Sequence, residues 1–145
     1  GEKKKPLSLI CADLASVSAY TREIDRATFK LLKASLPGPY TFIMRASTTL
    51  PKFVYAPGRK WRRETIGVRI PDDPVCLAVM QELDEPLLSC SVPTSAEGVQ
   101  LVCDAATIGD SWCSHVDFIV DAGDRPIDGS TVYDLSEGEV TLVRM

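Results

Sequence analysis

Apolar positions in this chain fall into two alternating patterns: short continuous runs bounded by turn residues, and stretches where they recur every three or four positions. Leu7 to Ala12 (LSLICA) is a run of the first kind, closed by Asp13, and it predicts a buried strand. One helical turn is predicted over Ser16 to Thr21. Arg26 to Leu36 has the second pattern, with Phe29, Leu32 and Leu36 beside Ala27, Leu31 and Ala34. Asp25 is its N-cap, because a short carboxylate accepts the free N–H groups of a first turn. Pro37-Gly38-Pro39 stops that helix, and Tyr40 to Ala46 reads as a second strand. A turn or short helix is expected around Leu50 to Val54, then a third strand over Thr65 to Ile70. Asp73 caps a helix that Pro74 opens, since proline at the first helical position lacks only an N–H the helix would not use. That helix runs to Leu83, with Cys76, Leu77, Val79, Met80 and Leu83 on its apolar side.

Leu87 to Ser91 predicts a fourth strand, broken by Pro93, Thr94, Ser95 and Gly98, and a helix is expected over 100–111. Asp117 to Ala122, Ser130 to Leu135 and Glu139 to Arg144 predict three more strands, the last two joined by a tight Ser136-Glu137-Gly138 turn. Strands interleaved with helices in this way predict an α/β fold, a twisted mixed sheet with helices packed on it. The pattern does not give the strand order. A chain of 145 residues has the usual length of one domain, so 1–145 is read as a single unit.

Composition changes little in this picture. Hydrophobic content of 45% is that of a globular protein, and no apolar run is long enough to cross a bilayer, so a soluble protein without a membrane partner is expected. The net charge of −4 argues against nucleic-acid binding by the molecule as a whole. The cations are unevenly placed, however: Lys3, Lys4 and Lys5 form one cluster, and Arg59, Lys60, Arg62 and Arg63 surround Trp61 in another. Both clusters are compatible with solvated loops, and the second equally with a rim that contacts RNA phosphates. Five cysteines without CxxC spacing fit neither a disulfide framework nor a zinc site, and point to a reducing compartment.

No P-loop, GxGxxG or GxSxG pattern occurs. His115, the one histidine, stands beside Ser114 ahead of an apolar stretch and reads as a helix-end residue rather than a general base. Four polar features remain, each at a predicted strand end: Arg69, the Ser89-Cys90-Ser91 group, Ser130-Thr131, and Arg144. Arg69 is the most informative, because it interrupts the apolar run Ile66, Gly67, Val68 and Ile70, a costly place for a charge unless an anion meets it. Guanidinium and hydroxyl groups converging from strand ends suit carboxylate or phosphate recognition. Each also has a simpler use, in satisfying local backbone groups or meeting solvent.

The order of segments adds to this. KKPLSLICADL, LLKASLPGPYTFIM, RRETIGVRIPDDP, EPLLSCS, VDFIVDAG, GSTVYDL and VTLVRM follow one another as in the YrdC/YciO family, which the chain resembles over nearly its whole length. The resemblance implies a sheet with a concave, positively charged cavity. It also implies, as in the best-known members, a synthase that converts L-threonine, bicarbonate and ATP to threonylcarbamoyl-AMP and pyrophosphate for tRNA modification, with magnesium. On that resemblance Arg69 holds the threonine carboxylate, Thr41, Ser89 and Ser91 line the substrate pocket, and Lys5, Ser130, Thr131 and Arg144 face the nucleotide. Arg59, Lys60, Arg62 and Arg63 are then the surface for tRNA or double-stranded RNA, and a non-catalytic RNA-binding module of the same fold is the alternative. Cytoplasm, plastid or mitochondrion all suit such a protein.

Two departures from the family pattern stand out. The Thr-Asp-Thr-x-Tyr strand and Lys-x-Arg pair that precede the equivalent of KKPLSL are not in this sequence, so a missing strand is expected from an upstream segment or a partner, with Lys5 at the tail of that region. In Ser89 to Ala96 (SCSVPTSA), Pro93 and Ala96 stand where the synthase branch has asparagine and glycine. Proline offers neither a side-chain amide nor a backbone donor, and this loop resembles the YciO branch more closely.

Overall fold

A computed structural model describes residues 7–22, 24–50, 65–90, 105–124 and 129–145, which belong to two compact units: Gly1–Cys90 with Ser130–Met145, and Ser91–Gly129. Among its described residues the first unit holds a six-stranded sheet and three helices. The strands are β1 (Ser8–Ile10), β2 (Tyr40–Arg45), β3 (Thr65–Arg69), β4 (Leu87–Ser89), β5 (Thr131–Asp134) and β6 (Thr141–Arg144); the helices are α1 (Leu14–Tyr20), α2 (Arg26–Ser35) and α3 (Pro74–Leu83). Strand order is β4-β1-β3-β2-β5-β6, with β1–β3 and β2–β5 parallel and the other neighbours antiparallel. The fold is therefore the mixed α/β sheet that the patterning predicts.

The register threads Leu88, Leu9, Val68, Phe42, Tyr133 and Leu142 into one row across all six strands. Paired residues share a face, and successive residues alternate, so this row fixes a core face and its opposite. Leu9, Val68 and Phe42 are buried there against Val17 of α1 and Leu32 and Leu36 at the end of α2, with Cys11, Met44, Ile66 and Ile70 from the flanking rows. Tyr40, Phe42 and Tyr133 add stacked and tilted ring contacts, with centroids 5.9 to 6.3 Å apart.

Each helix starts on a side chain chosen for it. Asp13, expected only to end the first strand, accepts from Ser16 N and so opens α1 as a full two turns rather than one. Asp25 accepts from Thr28 N at 2.7 Å, and that bond holds its carboxyl below the usual carboxylate range. Asp73 accepts from both Val75 N and Cys76 N, with Pro74 in the first turn, as the sequence predicts. At the far end of α3, Asp84 takes a left-handed conformation, φ 59°, which a short polar side chain tolerates better than most.

The second unit contains α4 (Ala105–Trp112), whose first N–H is accepted by Asp124 Oδ1 at 2.8 Å. His115 follows that helix, exposed, its ring edge-on to Trp112. The strand expected over Asp117 to Ala122 is not formed: no described strand pairs with it, and Phe118 and Val120 stand 79% and 56% exposed. Apolar alternation alone cannot make a strand without a ladder partner to take its N–H and C=O groups. Much of the turn expected at Leu50 to Val54, and the first residues of the helix expected over 100–111, lie outside the described residues. No described helix is long and apolar enough to cross a membrane.

Candidate functional site

The face opposite the core carries most of the polar residues singled out by the sequence. In register, Leu87 (β4), Ile10 (β1) and Arg69 (β3) lie side by side, and the β2–β3 register continues to set Thr41 opposite Arg69, with Val132 and Arg144 beyond it. The row alongside holds Ser89, Ser8, Gly67, Ile43 and Asp134. Arg69, Thr41, Ser89 and Arg144 therefore share one face. Strands lie about 4.8 Å apart, so Arg69 and Arg144 stand three strand steps apart, roughly 14 Å, a span suited to an extended ligand rather than a single anion.

Arg69 has the strongest claim on a ligand. Its Nε is buried and meets no hydrogen-bond partner among the described residues. A buried guanidinium nitrogen left unpaired costs the desolvation of a charged donor, so such groups in native proteins mark a functional or ligand-filled place. Its field reaches α3: burial first, and then Asp73, push the Cys76 thiol up, while Arg69 acts in the opposite sense.

Beside Arg69, Thr41 Oγ1 and Ser130 Oγ are 2.7 Å apart. One hydroxyl must donate to the other, which leaves the acceptor's own hydrogen free for a further partner. Thr41 is 7% exposed, so this pair is held rather than mobile in solvent. Gly67 permits the closeness of the neighbours: a Cβ there would lie 2.8 Å from Ser8 Oγ and 3.2 Å from Thr41 Cγ2. Ser89 donates to the Ser8 carbonyl at 3.3 Å, which ties the edge strand to the same face.

Thr131 does not join this set. It pairs with Tyr40 on the core side, because adjacent strand residues alternate and Ser130 takes the opposite direction. Arg144 reaches the site face through an irregularity in β6, where the register shifts between Val132 and Tyr133. Lys5, Ser91, Pro93, Arg59, Lys60, Arg62 and Arg63 lie outside the described residues. Sequence reasoning passed over Ser8, Ile10 and Gly67: the two-residue spacing of Gly67 from Arg69 was a signal that they share a face, but Ser8 and Ile10, spaced alike on their own strand, join that face only through the β1–β3 register.

Two recesses lie elsewhere in the first unit. One of about 80 Å³ sits beside the β5–β6 turn, lined by Arg22, Asp25, Arg45, Ser136 and Glu139 among others. A more open one of about 450 Å³ lies along α1 and the start of α2, from Ser18 to Phe29. No group of three or more His, Cys, Asp or Glu side chains that could hold a metal occurs among the described residues.

The family model for Sua5, YciO and YrdC proteins, described as "Telomere recombination", matches residues 1–145. The chain belongs to the Sua5/YciO/YrdC family. Within it, the chain is 35% identical over 137 residues to an uncharacterized protein of Haemophilus influenzae, and 33% identical over 138 residues to YciO of Escherichia coli. Each alignment covers 94% of this chain and 64% of the relative, so the chain spans about 64% of the length of these relatives. The crystal structure of E. coli YciO superposes with a TM-score of 0.84 over 95% of this chain and 64% of that one. Sua5 of Pyrococcus abyssi, solved in complex with L-threonine, superposes with a TM-score of 0.82 at 25% identity, over 97% of this chain and 39% of that one. That protein is a threonylcarbamoyl-AMP synthase, to which this chain is similar at lower identity than to YciO. The YciO-like character read from Pro93 and Ala96 agrees with this ranking.

Proposed function

We propose that this chain is the amino-acid and nucleotide-binding part of a threonylcarbamoyl-AMP synthase-like enzyme. The observation that carries the reading is Arg69: a guanidinium with an unpaired buried Nε, beside a hydroxyl pair, on the open face of a family sheet. A relative of the same fold has been solved with L-threonine, an amino acid whose carboxylate matches such a group.

In this reading Arg69 takes the carboxylate and the Thr41–Ser130 pair supplies the free hydroxyl hydrogen. Threonine's amine adds to bicarbonate with loss of water. An oxygen of the resulting carbamate then attacks the α-phosphorus of ATP, displacing pyrophosphate. No residue in this scheme needs to exchange a proton as a strong base. Holding two reactants within reach and offsetting phosphate charge supply much of the rate in such sites. Arg144 is the described cation for the phosphates, and Lys5 and Ser91 are proposed to act with it, whereas Thr131 faces the core and has no part in the scheme. Magnesium enters with the triphosphate as part of the substrate.

The test is to incubate the full-length protein with labelled L-threonine, bicarbonate, ATP and magnesium, and to follow adenylate and pyrophosphate. Formation of both is expected; neither product would overturn the reading. In a direct titration, Arg69→Ala is expected to weaken L-threonine binding more than tenfold, roughly 1.4 kcal/mol or more. Equal affinity would remove Arg69 from its role.

A further inference from the structure

The outermost strand is held along one edge. All four residues of β6 are exposed, and among the described residues β5 is its sole strand neighbour. Adjacent strands take relative twists anywhere between about 10° and 35°, and β6 has no buried side chain to choose among them. The turn that leads into β6 supplies a further attachment. Ser136 is only 6% exposed, and its N–H and Oγ both donate to Asp134 Oδ1, at 2.8 and 2.6 Å. Its carbonyl accepts from Arg45 Nε of β2 at 2.9 Å, and Leu135 N beside it donates to Ile43 O at 2.8 Å. Arg45 is itself fixed from the other side, where its carbonyl accepts from Arg22 N at 3.0 Å. A guanidinium donor makes a charge-assisted bond, and its planar fork loses little freedom in making it. One side chain of an interior strand thus ties down the turn of the outer hairpin.

We propose that Arg45 is a positioning residue for phosphate binding: through the Ser136 carbonyl it sets the pitch of the β5–β6 hairpin, and so the place of Arg144. The inference rests on the phosphate-facing role proposed for Arg144 and goes beyond it by naming the residue that holds Arg144 where it acts. Arg144 lies in the row of Thr41, while Arg45 stands four residues further along β2, roughly 13 Å away at the rise of a strand. With its Nε engaged at Ser136, Arg45 acts through the hairpin rather than on the ligand. Its loss leaves the ladder between β5 and β6 intact but lets β6 swing, so that Arg144 meets the phosphates in a fraction of its positions. Arg69, on the far side of β2, keeps its own setting.

The experiment is a double-mutant cycle read by calorimetric titration of ATP with magnesium into the full-length wild type, Arg45→Met, Arg144→Ala and the double variant. Arg144→Ala is expected to weaken ATP binding at least tenfold, roughly the loss of one charge-assisted contact. Arg45→Met is expected to weaken it about threefold to tenfold, but to add less than about twofold once Arg144 is gone, because nothing is then left to position. L-threonine affinity should stay within about twofold of wild type in Arg45→Met. Hydrogen exchange supplies a readout that needs no ligand: the amides of Thr141–Arg144 should exchange at least about tenfold faster in Arg45→Met, with β1 and β3 still protected. If Arg45→Met does not fold, Asp134→Ala takes its place, since it slackens the same turn by removing the acceptor of Ser136 N and Oγ, and the same pattern is expected. Two failures are kept apart. A wild type that binds no ATP overturns the proposed function and, with it, the ligand of this inference. A wild type that binds ATP, with Arg45 and Arg144 effects that simply add, no effect of Arg45→Met, or unchanged exchange in β6, overturns this inference and leaves that function standing.

Discussion

The two faces of the sheet are made from the same strands and obey opposite rules. On the core face, Leu9, Val68 and Phe42 are buried against α1 and α2, and the Tyr40, Phe42 and Tyr133 rings pack in contact. On the opposite face, Arg69 is left with an unpaired nitrogen, Gly67 has no side chain, and Thr41 and Ser130 bond to each other with capacity to spare. The first face contributes to stability through burial, at about 25 cal/mol per Å² of apolar surface. The second holds polar groups at a cost in stability, which a ligand would offset. A residue's effect when changed should therefore depend on its parity in the strand more than on its chemical type.

The largest effect expected is on the core face. Phe42→Ala removes a fully buried ring from the centre of the sheet and should cost about 3–5 kcal/mol in urea unfolding, with ligand affinity of the remaining folded protein unchanged. A small loss would mean that the face is not packed as described. Its counterpart across the sheet is Arg69→Met. This should weaken L-threonine binding by at least tenfold, roughly 1.4 kcal/mol. It should leave stability equal or raised, because an uncompensated buried donor is replaced by a chain of similar volume. Destabilisation by Arg69→Met together with intact binding would reverse the assignment of the two faces.

Cys11 tests the dryness of the core side. Burial, helped by Asp13, pushes its thiol up from 9.0 to about 12. Below pH 9 the thiol is neutral whether folded or not, so it has no effect; between pH 9 and about 12 the unfolded chain ionises first and stability falls. The slope from this group is at most about 1.4 kcal/mol per pH unit. Urea midpoints measured from pH 8 to 11 should fall less steeply for Cys11→Ala than for the wild type, and parallel curves would show that water reaches the thiol. The smallest effect belongs to the helix caps, which serve neither face directly. Asp73→Ala should cost about 1 kcal/mol, because Val75 N and Cys76 N lose one shared acceptor. Asp25 should give a related pH signature. Its carboxyl is held low in the folded state, so its contribution is present above the ordinary carboxylate range and is lost as pH falls through the lowered value. An Asp25→Asn variant whose acid unfolding coincides with the wild type would argue against it.

What the sequence made legible follows from how local each signal is. The caps at Asp25 and Asp73 and the stop at Pro37 need only a few neighbours, and they appear where the pattern puts them. Arg69 was conspicuous because a charge inside an apolar run conflicts with its surroundings, and the structure shows the conflict as an orphaned nitrogen. Non-local facts were not legible. The apolar alternation of Asp117 to Ala122 implied a strand, but a strand exists only with a partner, and none pairs with it among the described residues. Strand order depends on pairing between distant segments, which no local window contains. Parity lies between these cases. Ser130 and Thr131 looked equivalent as neighbouring hydroxyls, yet period-two geometry sends them to opposite faces, and only the register identifies which belongs to the site.

The Thr41–Ser130 hydrogen bond joins residues 89 apart in the chain. During synthesis at about 5–20 residues per second, roughly 4 to 18 s separate the emergence of its two halves. By then β1, β2, β3 and β4 all have their mutual partners available, whereas the β2 edge waits for β5. Contacts of such long separation are closed late because loop entropy must be overcome before they contribute. The hydroxyl pair therefore closes only after β5 is available, later in the chain than every segment that pairs β1, β2, β3 and β4 with one another.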